Sequence, residues 1–161
     1  MNETARQQEL VLDALHTARS MELRAIQQYM VQHYTLEDLD YRPLAGAVRT
    51  AAIDEMRHAE ALAERIKELG GEPESRLAGP VVHGQGVDEA FAFNAGLEED
   101  TLARYNEWLA LCLECRDKVS AALFERLILE EQAHFNRFED IDRHVRTLGT
   151  SFLARMAGSA D

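Results

Sequence analysis

Glycine and proline are so placed in this chain that four long stretches are free of them or nearly so. The three prolines stand at 43, 73 and 80, and five of the nine glycines fall at 70, 71, 79, 84 and 86. The stretches between carry apolar residues at three- and four-residue spacing, the period of a helix with one buried face. That predicts helices near 4–38, 44–69, 87–115 and 117–147. Pro43 suits the first turn of the second helix. Gly70-Gly71 ends it, with Pro73 just beyond. No glycine or proline separates the third helix from the fourth. A single helix over 87–147 would exceed ordinary globular lengths, so a break is expected, with Asp117 as N-cap. Gly149 closes the fourth helix, and the apolar piece after it predicts a short fifth helix near 150–157. At 161 residues the chain has the length of one domain. The fold class is therefore an all-α four-helix bundle over 1–161.

The connection from 70 to 86 is long for a bundle. Seventeen extended residues reach at most about 55–60 Å, whereas a helix of 25–30 residues is about 37–45 Å long. The segment can cross the whole bundle and leave the second and third helices parallel.

Each apolar stripe is interrupted. The second helix reads Val48, Ala51, Glu55, His58, Leu62, Ile66, Leu69, and the fourth Phe124, Leu127, Glu131, His134, Phe138, Ile141, Val145. The first reads Leu12, Leu15, Glu22, Ile26, Tyr29, and the third Phe91, Ala95, Glu98, Leu102, Tyr105, Leu109, Cys112. A buried carboxylate needs a partner charge or a metal, and no Lys or Arg lies on these stripes. Four carboxylates converging alone would repel and retain protons. Two divalent metals remove that difficulty. A shift of 76 residues maps Glu22 onto Glu98, Tyr29 onto Tyr105, Glu55 onto Glu131 and His58 onto His134. The chain therefore reads as two copies of one helical hairpin. A single Glu-x-x-His is weak, because both residues are common on solvated faces. Two in register on core stripes, with two further core glutamates, match the ligand arrangement of carboxylate di-metal bundles. Residues i and i+3 share a helix face, so Glu and His can grip one metal pair. The mixed oxygen and nitrogen donors suit Fe, Mn or Zn. Tyr29 is expected to hold a ligand by hydrogen bonding, and Tyr105 to fill the core with its hydroxyl satisfied.

Composition narrows the function classes. Seventeen basic against 29 acidic residues give a formal charge of −12. That disfavours nucleic acid and favours cations. No apolar run approaches the roughly 20 residues of a membrane span, and the first residues lack a secretory pattern. A cytoplasmic location is the resulting expectation. Cys112 and Cys115 make no disulfide framework, and Cys112 falls on the core stripe as a buried thiol.

The runs Glu22-Leu23-Arg24-Ala25-Ile26-Gln27-Gln28-Tyr29, Ile53-Asp54-Glu55-Met56-Arg57-His58-Ala59, Leu97-Glu98 and Glu130-Glu131-Gln132-Ala133-His134 resemble the bacterioferritins. The likeness extends over nearly the whole chain, including Leu148-Gly149 and the short final helix. It implies a ferritin-like bundle and a ferroxidase that oxidises Fe(II) with oxygen or peroxide at a di-iron centre. It also implies storage of ferric mineral in a homo-oligomeric cage, usually of 24 subunits. Glu22 and His58 would be terminal ligands of one iron and Glu98 and His134 of the other, with Glu55 and Glu131 bridging. Met56 matches the axial ligand of a b-type haem shared across a two-fold dimer. It lies about 100° around the helix from Glu55, near Ile53 and Ala63. Asp54 matches a cavity-facing acidic position, but Thr50 stands where some members carry an inner histidine. The alternatives are an erythrin-type di-iron peroxidase that stores nothing, a twelve-subunit mini-ferritin, and a non-enzymatic bundle with a structural polar network.

Overall fold

The computed structural model describes residues 2–158. Five helices follow one another: α1 (Glu3–Asp38), α2 (Arg42–Glu68), α3 (Val87–Glu114), α4 (Lys118–Leu148) and α5 (Thr150–Met156). The ends have local causes. Asn2 caps α1 by accepting from the Ala5 N–H, and Pro43 occupies the first turn of α2, where its missing N–H costs nothing. Asp88 and Glu89 meet the positive end of the α3 dipole. The expected break between α3 and α4 is present. Arg116 takes φ 60°, and the Asp117 side chain accepts from the Val119 and Ser120 N–H groups. Gly149, at φ 50°, turns the chain from α4 into α5, a backbone state that L side chains resist.

Helix α1 packs along α2 and α3 along α4; the two hairpins then meet chiefly through α1 with α3 and through α2 with α4. Two side-chain links fix the directions. Gln8, near the start of α1, donates to the Leu69 carbonyl at the end of α2. Arg65, also near the end of α2, binds Asp117 at the start of α4. Helices α2 and α3 therefore run parallel, and the 69–86 segment returns the full bundle length as a strap along α1. Ser20 O accepts from the Ala78 N–H, and Gln28 pairs with both the N–H and C=O of Val82. Arg24 Nε donates to the Pro80 carbonyl.

The apolar interior forms two clusters. One gathers Leu15, Leu62, Ile66, Tyr105, Phe124 and Leu127; the other gathers Tyr29, Leu44, Val48, Phe91 and Phe138. Each large aliphatic or aromatic side chain so buried contributes roughly 1.5–3 kcal/mol. The stripe on α1 is rotated slightly from its predicted centre. Val11 and Ala18 are in the core, while Leu12 and Ile26 are only partly buried. The charged residues of interest lie between the two clusters.

Candidate metal centre

All six residues singled out by the interrupted stripes converge at the middle of the bundle. Two ligand-sized groups form, one of Glu22, Glu55, His58 and Glu131, the other of Glu55, Glu98, Glu131 and His134. Within each, the nearest donor atoms all lie within 4.8 Å of one another. Glu55 and Glu131 belong to both. Glu55 Oε2 is 2.9 Å from His58 Nδ1 and its Oε1 is 2.9 Å from His134 Nδ1. Glu131 does the same in mirror order, Oε1 at 2.9 Å from His58 Nδ1 and Oε2 at 3.0 Å from His134 Nδ1. One oxygen toward each half is the geometry a bridging carboxylate needs. Glu22 reaches only the His58 half, with Oε1 at 4.0 Å from Nδ1.

Burial sets the electrostatics. Five of the six are buried, Glu55 and Glu131 completely, while the His134 side chain keeps 12% of its surface. Burial raises the carboxyls of Glu22 and Glu98 well above the usual range, and the charges on Glu131 and Glu55 push them further. Burial would raise Glu131 too, but hydrogen bonds from His134 and His58 prevail and hold it below the usual range. Burial would lower both imidazoles, yet Glu131 and Glu55 hold His58 at about 11 and His134 at about 10. Protons thus do here what cations would otherwise do. One acceptor is left over: Glu55 Oε1 is buried and, despite its closeness to His134, receives no hydrogen bond. A buried carboxylate oxygen without a donor, facing imidazole nitrogens and three other carboxylates, fits a hard or borderline divalent cation with mixed O and N ligands.

The surroundings repeat the 76-residue register across the bundle. The Tyr29 hydroxyl donates to Glu98 and the Tyr105 hydroxyl to Glu22. Tyr105 is fully buried, as core filling requires, and the partner that satisfies its hydroxyl is Glu22, in the place Glu98 takes for Tyr29. Both phenols are pushed up, first by burial and then by the carboxylates they meet. Glu130 was missed by the stripe reading because it lies off the core face; its Oε2 sits 2.7 Å from His58 Nε2. Asp54 reaches His134 Nε2 at 3.4 Å. The register would have found the pair, since 54 and 130 are 76 apart.

Two hollows lead toward the centre. One of about 120 Å³ lies on the α1–α3 side beneath the strap, with Glu22, Tyr29 and Glu98 in its wall and Arg24, Ala78 and Asp100 around it. The other, about 330 Å³, opens on the α2–α4 side among Asp54, Glu130, His134 and Arg137. Met56 is not part of the centre. It projects outward from α2, 54% exposed, with Ile53 and Ala63 half-buried on the same helix. Thr50 bonds only to the Gly46 carbonyl. Cys112 is buried and its thiol is pushed up to about 12, mainly by burial.

The chain is similar to known proteins over most of its length. A family model described as a ferritin-like domain matches residues 12–148. A bacterioferritin of Desulfovibrio desulfuricans is 51% identical over 149 residues, 92% of this chain and 83% of that protein. An X-ray structure of bacterioferritin from that species, concerned with its diiron site in different catalytic states, superposes with a TM-score of 0.96. The identity there is 48%, and the match covers 99% of this chain and 93% of the other. Rhodobacter capsulatus bacterioferritin, solved with a metal-free dinuclear site and haem iron in a crystallographic special position, superposes at 0.89. That match has 32% identity and covers 95% of this chain and 96% of the other.

Proposed function

The chain belongs to the bacterioferritin family, and from that premise we propose that it is an iron-storing ferroxidase whose two Fe(II) substrates bind between Glu22, Glu55, His58, Glu98, Glu131 and His134. The observation that carries the assignment is the double reach of Glu55 and Glu131, each with one oxygen toward each histidine. Bound there, each iron gives one electron to dioxygen or peroxide. The protein's part is geometry and charge. Glu55 and Glu131 set the separation of the pair, and Glu22 and Glu98 close the ends. His58 and His134 present Nδ1 inward after giving up its proton. Tyr105 and Tyr29 hold the two terminal carboxylates in place.

By the same reading Met56 would be the residue that holds a b-type haem at a contact between two subunits. Its support is an exposed thioether on a partly apolar helix face, a setting that suits a subunit contact. A cage of 24 subunits built from such dimers follows the family, as does a cytoplasmic setting, where iron stays reduced. Among the described residues no helix is long and apolar enough to cross a membrane.

The deciding experiment is anaerobic Fe(II) titration followed by oxygen. Saturation at two ions per chain and growth of ferric absorbance are expected, and Glu131→Ala should abolish the fast phase. Normal oxidation by that variant removes the bridging assignment. Particle mass separates a 24-subunit cage from a twelve-subunit one or a dimeric peroxidase. A Soret band that survives Met56→Leu places the haem ligand elsewhere.

A further inference from the structure

We propose that Glu130 is a positioning residue that fixes His58 from behind and makes the Glu22–His58 half the tighter of the two metal positions. The inference rests on the di-metal reading above and refines it.

Both histidines turn Nδ1 toward the centre and Nε2 away from it. Each Nε2 meets a carboxylate from the opposite hairpin, and in each case that carboxylate immediately precedes a bridging glutamate. An imidazole whose outer N–H is held donates its other lone pair inward, in one ring orientation and with raised basicity. The halves differ in how well this is done. His58 Nε2 donates to Glu130 Oε2 at 2.7 Å. His134 Nε2 is 3.4 Å from Asp54 Oδ2, past the usual range for such a bond. Asp54 is also drawn toward Arg57, which binds its Oδ1 at 3.0 Å. Glu130 is less diverted, since Arg126 lies 3.6 Å from its other oxygen, Oε1. The His58 side chain is 1% exposed and that of His134 12%. One ring is thus clamped and enclosed, the other loosely backed and open to the α2–α4 hollow. Losing such an outer partner typically weakens metal affinity 10- to 100-fold.

The test uses the assembled, demetallated protein and Co(II), which accepts the same donors without being oxidised under anaerobic conditions. Calorimetry and the visible cobalt bands follow filling. Wild type should take two equivalents in two resolved steps. Glu130→Ala should weaken the tighter step about 10- to 100-fold, and Asp54→Ala should leave that step within about twofold. Glu130→Gln should restore most of the loss, because its amide oxygen still accepts from Nε2–H. Glu130 is 44% exposed, so these changes leave the core intact. A tighter step unmoved by Glu130→Ala, or moved equally by Asp54→Ala, overturns the proposal, as does a single step in wild type. Fewer than two equivalents in wild type would overturn the di-metal reading beneath it, a separate failure.

Discussion

Filling the centre with two divalent ions should expel protons, and their number follows from how the metal-free site is neutralised. The nitrogens that would ligate metal are the ones that donate to Glu55 and Glu131. Burial opposes charge on both imidazoles, but those carboxylates prevail and keep His58 protonated up to about 11 and His134 up to about 10. At pH 7 each ring must therefore lose a proton before it binds. At about 1.4 kcal/mol per pH unit, that costs roughly 4–6 kcal/mol per histidine, more at His58 than at His134. Glu22 and Glu98, raised by burial and by neighbouring carboxylates, supply up to two protons more. The expected release is about two to four protons per pair of ions. Since each position contains one of the histidines, affinity for each ion should rise at least about tenfold per pH unit below the imidazole values. Anaerobic titration with Zn(II) in weak buffer with a pH indicator, repeated by calorimetry in buffers of different ionisation enthalpy, measures both quantities. Release of one proton or none per filled pair would refute the picture of a site closed by protons.

The same shifts give the demetallated fold a sign of pH dependence. Histidines raised above their unfolded value of about 6.5 contribute fully below it and lose that contribution as pH climbs toward their folded values. Glu22 and Glu98, also raised, lose theirs in the same direction from about 4.5 upward; Glu131, lowered, matters only under acid. Melting of metal-free protein should thus fall from about pH 6.5 to about pH 9, and Zn(II) should flatten the trend; a metal-free profile that rises instead contradicts the charge assignment. Tyr105→Phe removes the donor to buried Glu22 and should cost about 1–3 kcal/mol in denaturant unfolding of metal-free protein, with Tyr29→Phe alike. Were Tyr105 mere core filling, its loss of one hydroxyl would be close to neutral. Asp117→Ala removes both the α4 cap and the carboxylate whose two oxygens accept from Arg65 Nη2. A loss of about 1–3 kcal/mol is expected by denaturant titration, and a loss under about 0.5 kcal/mol would show that the turn is held by other contacts.

Much of this was legible because a misplaced charge is conspicuous on a periodic apolar stripe. Glu55, His58, Glu131 and His134 interrupt stripes that are otherwise apolar, and the repeat then paired Glu22 with Glu98. What the stripes could not display is contact across helices. Tyr105 looks like any buried aromatic until its hydroxyl is seen against Glu22 of the other hairpin. Glu130 looks like a solvated charge until His58 comes within reach from α2. Gln28, Gln32 and Asn94 are buried for a similar reason: Gln28 and Gln32 bond the strap, and Gln32 pairs with Asn94 of α3. Period alone gives polar residues no reason to be inside. Loop length, by contrast, carried real information, since a segment able to span the bundle is what the parallel α2 and α3 require.

The strap also bears on how the molecule is put together. In the roles proposed above, each hairpin brings one terminal glutamate, one bridging glutamate and one histidine, so neither brings both of the four-residue groups that converge. The 69–86 segment therefore acts as a tether that turns the meeting of two half-sites into an intramolecular event, with an effective concentration on the order of millimolar. Lengthening it would cost little, about 0.6 kcal/mol per doubling. Severing it would return the chain to two pieces whose reunion depends on their concentration, with the metal pair as the natural cement.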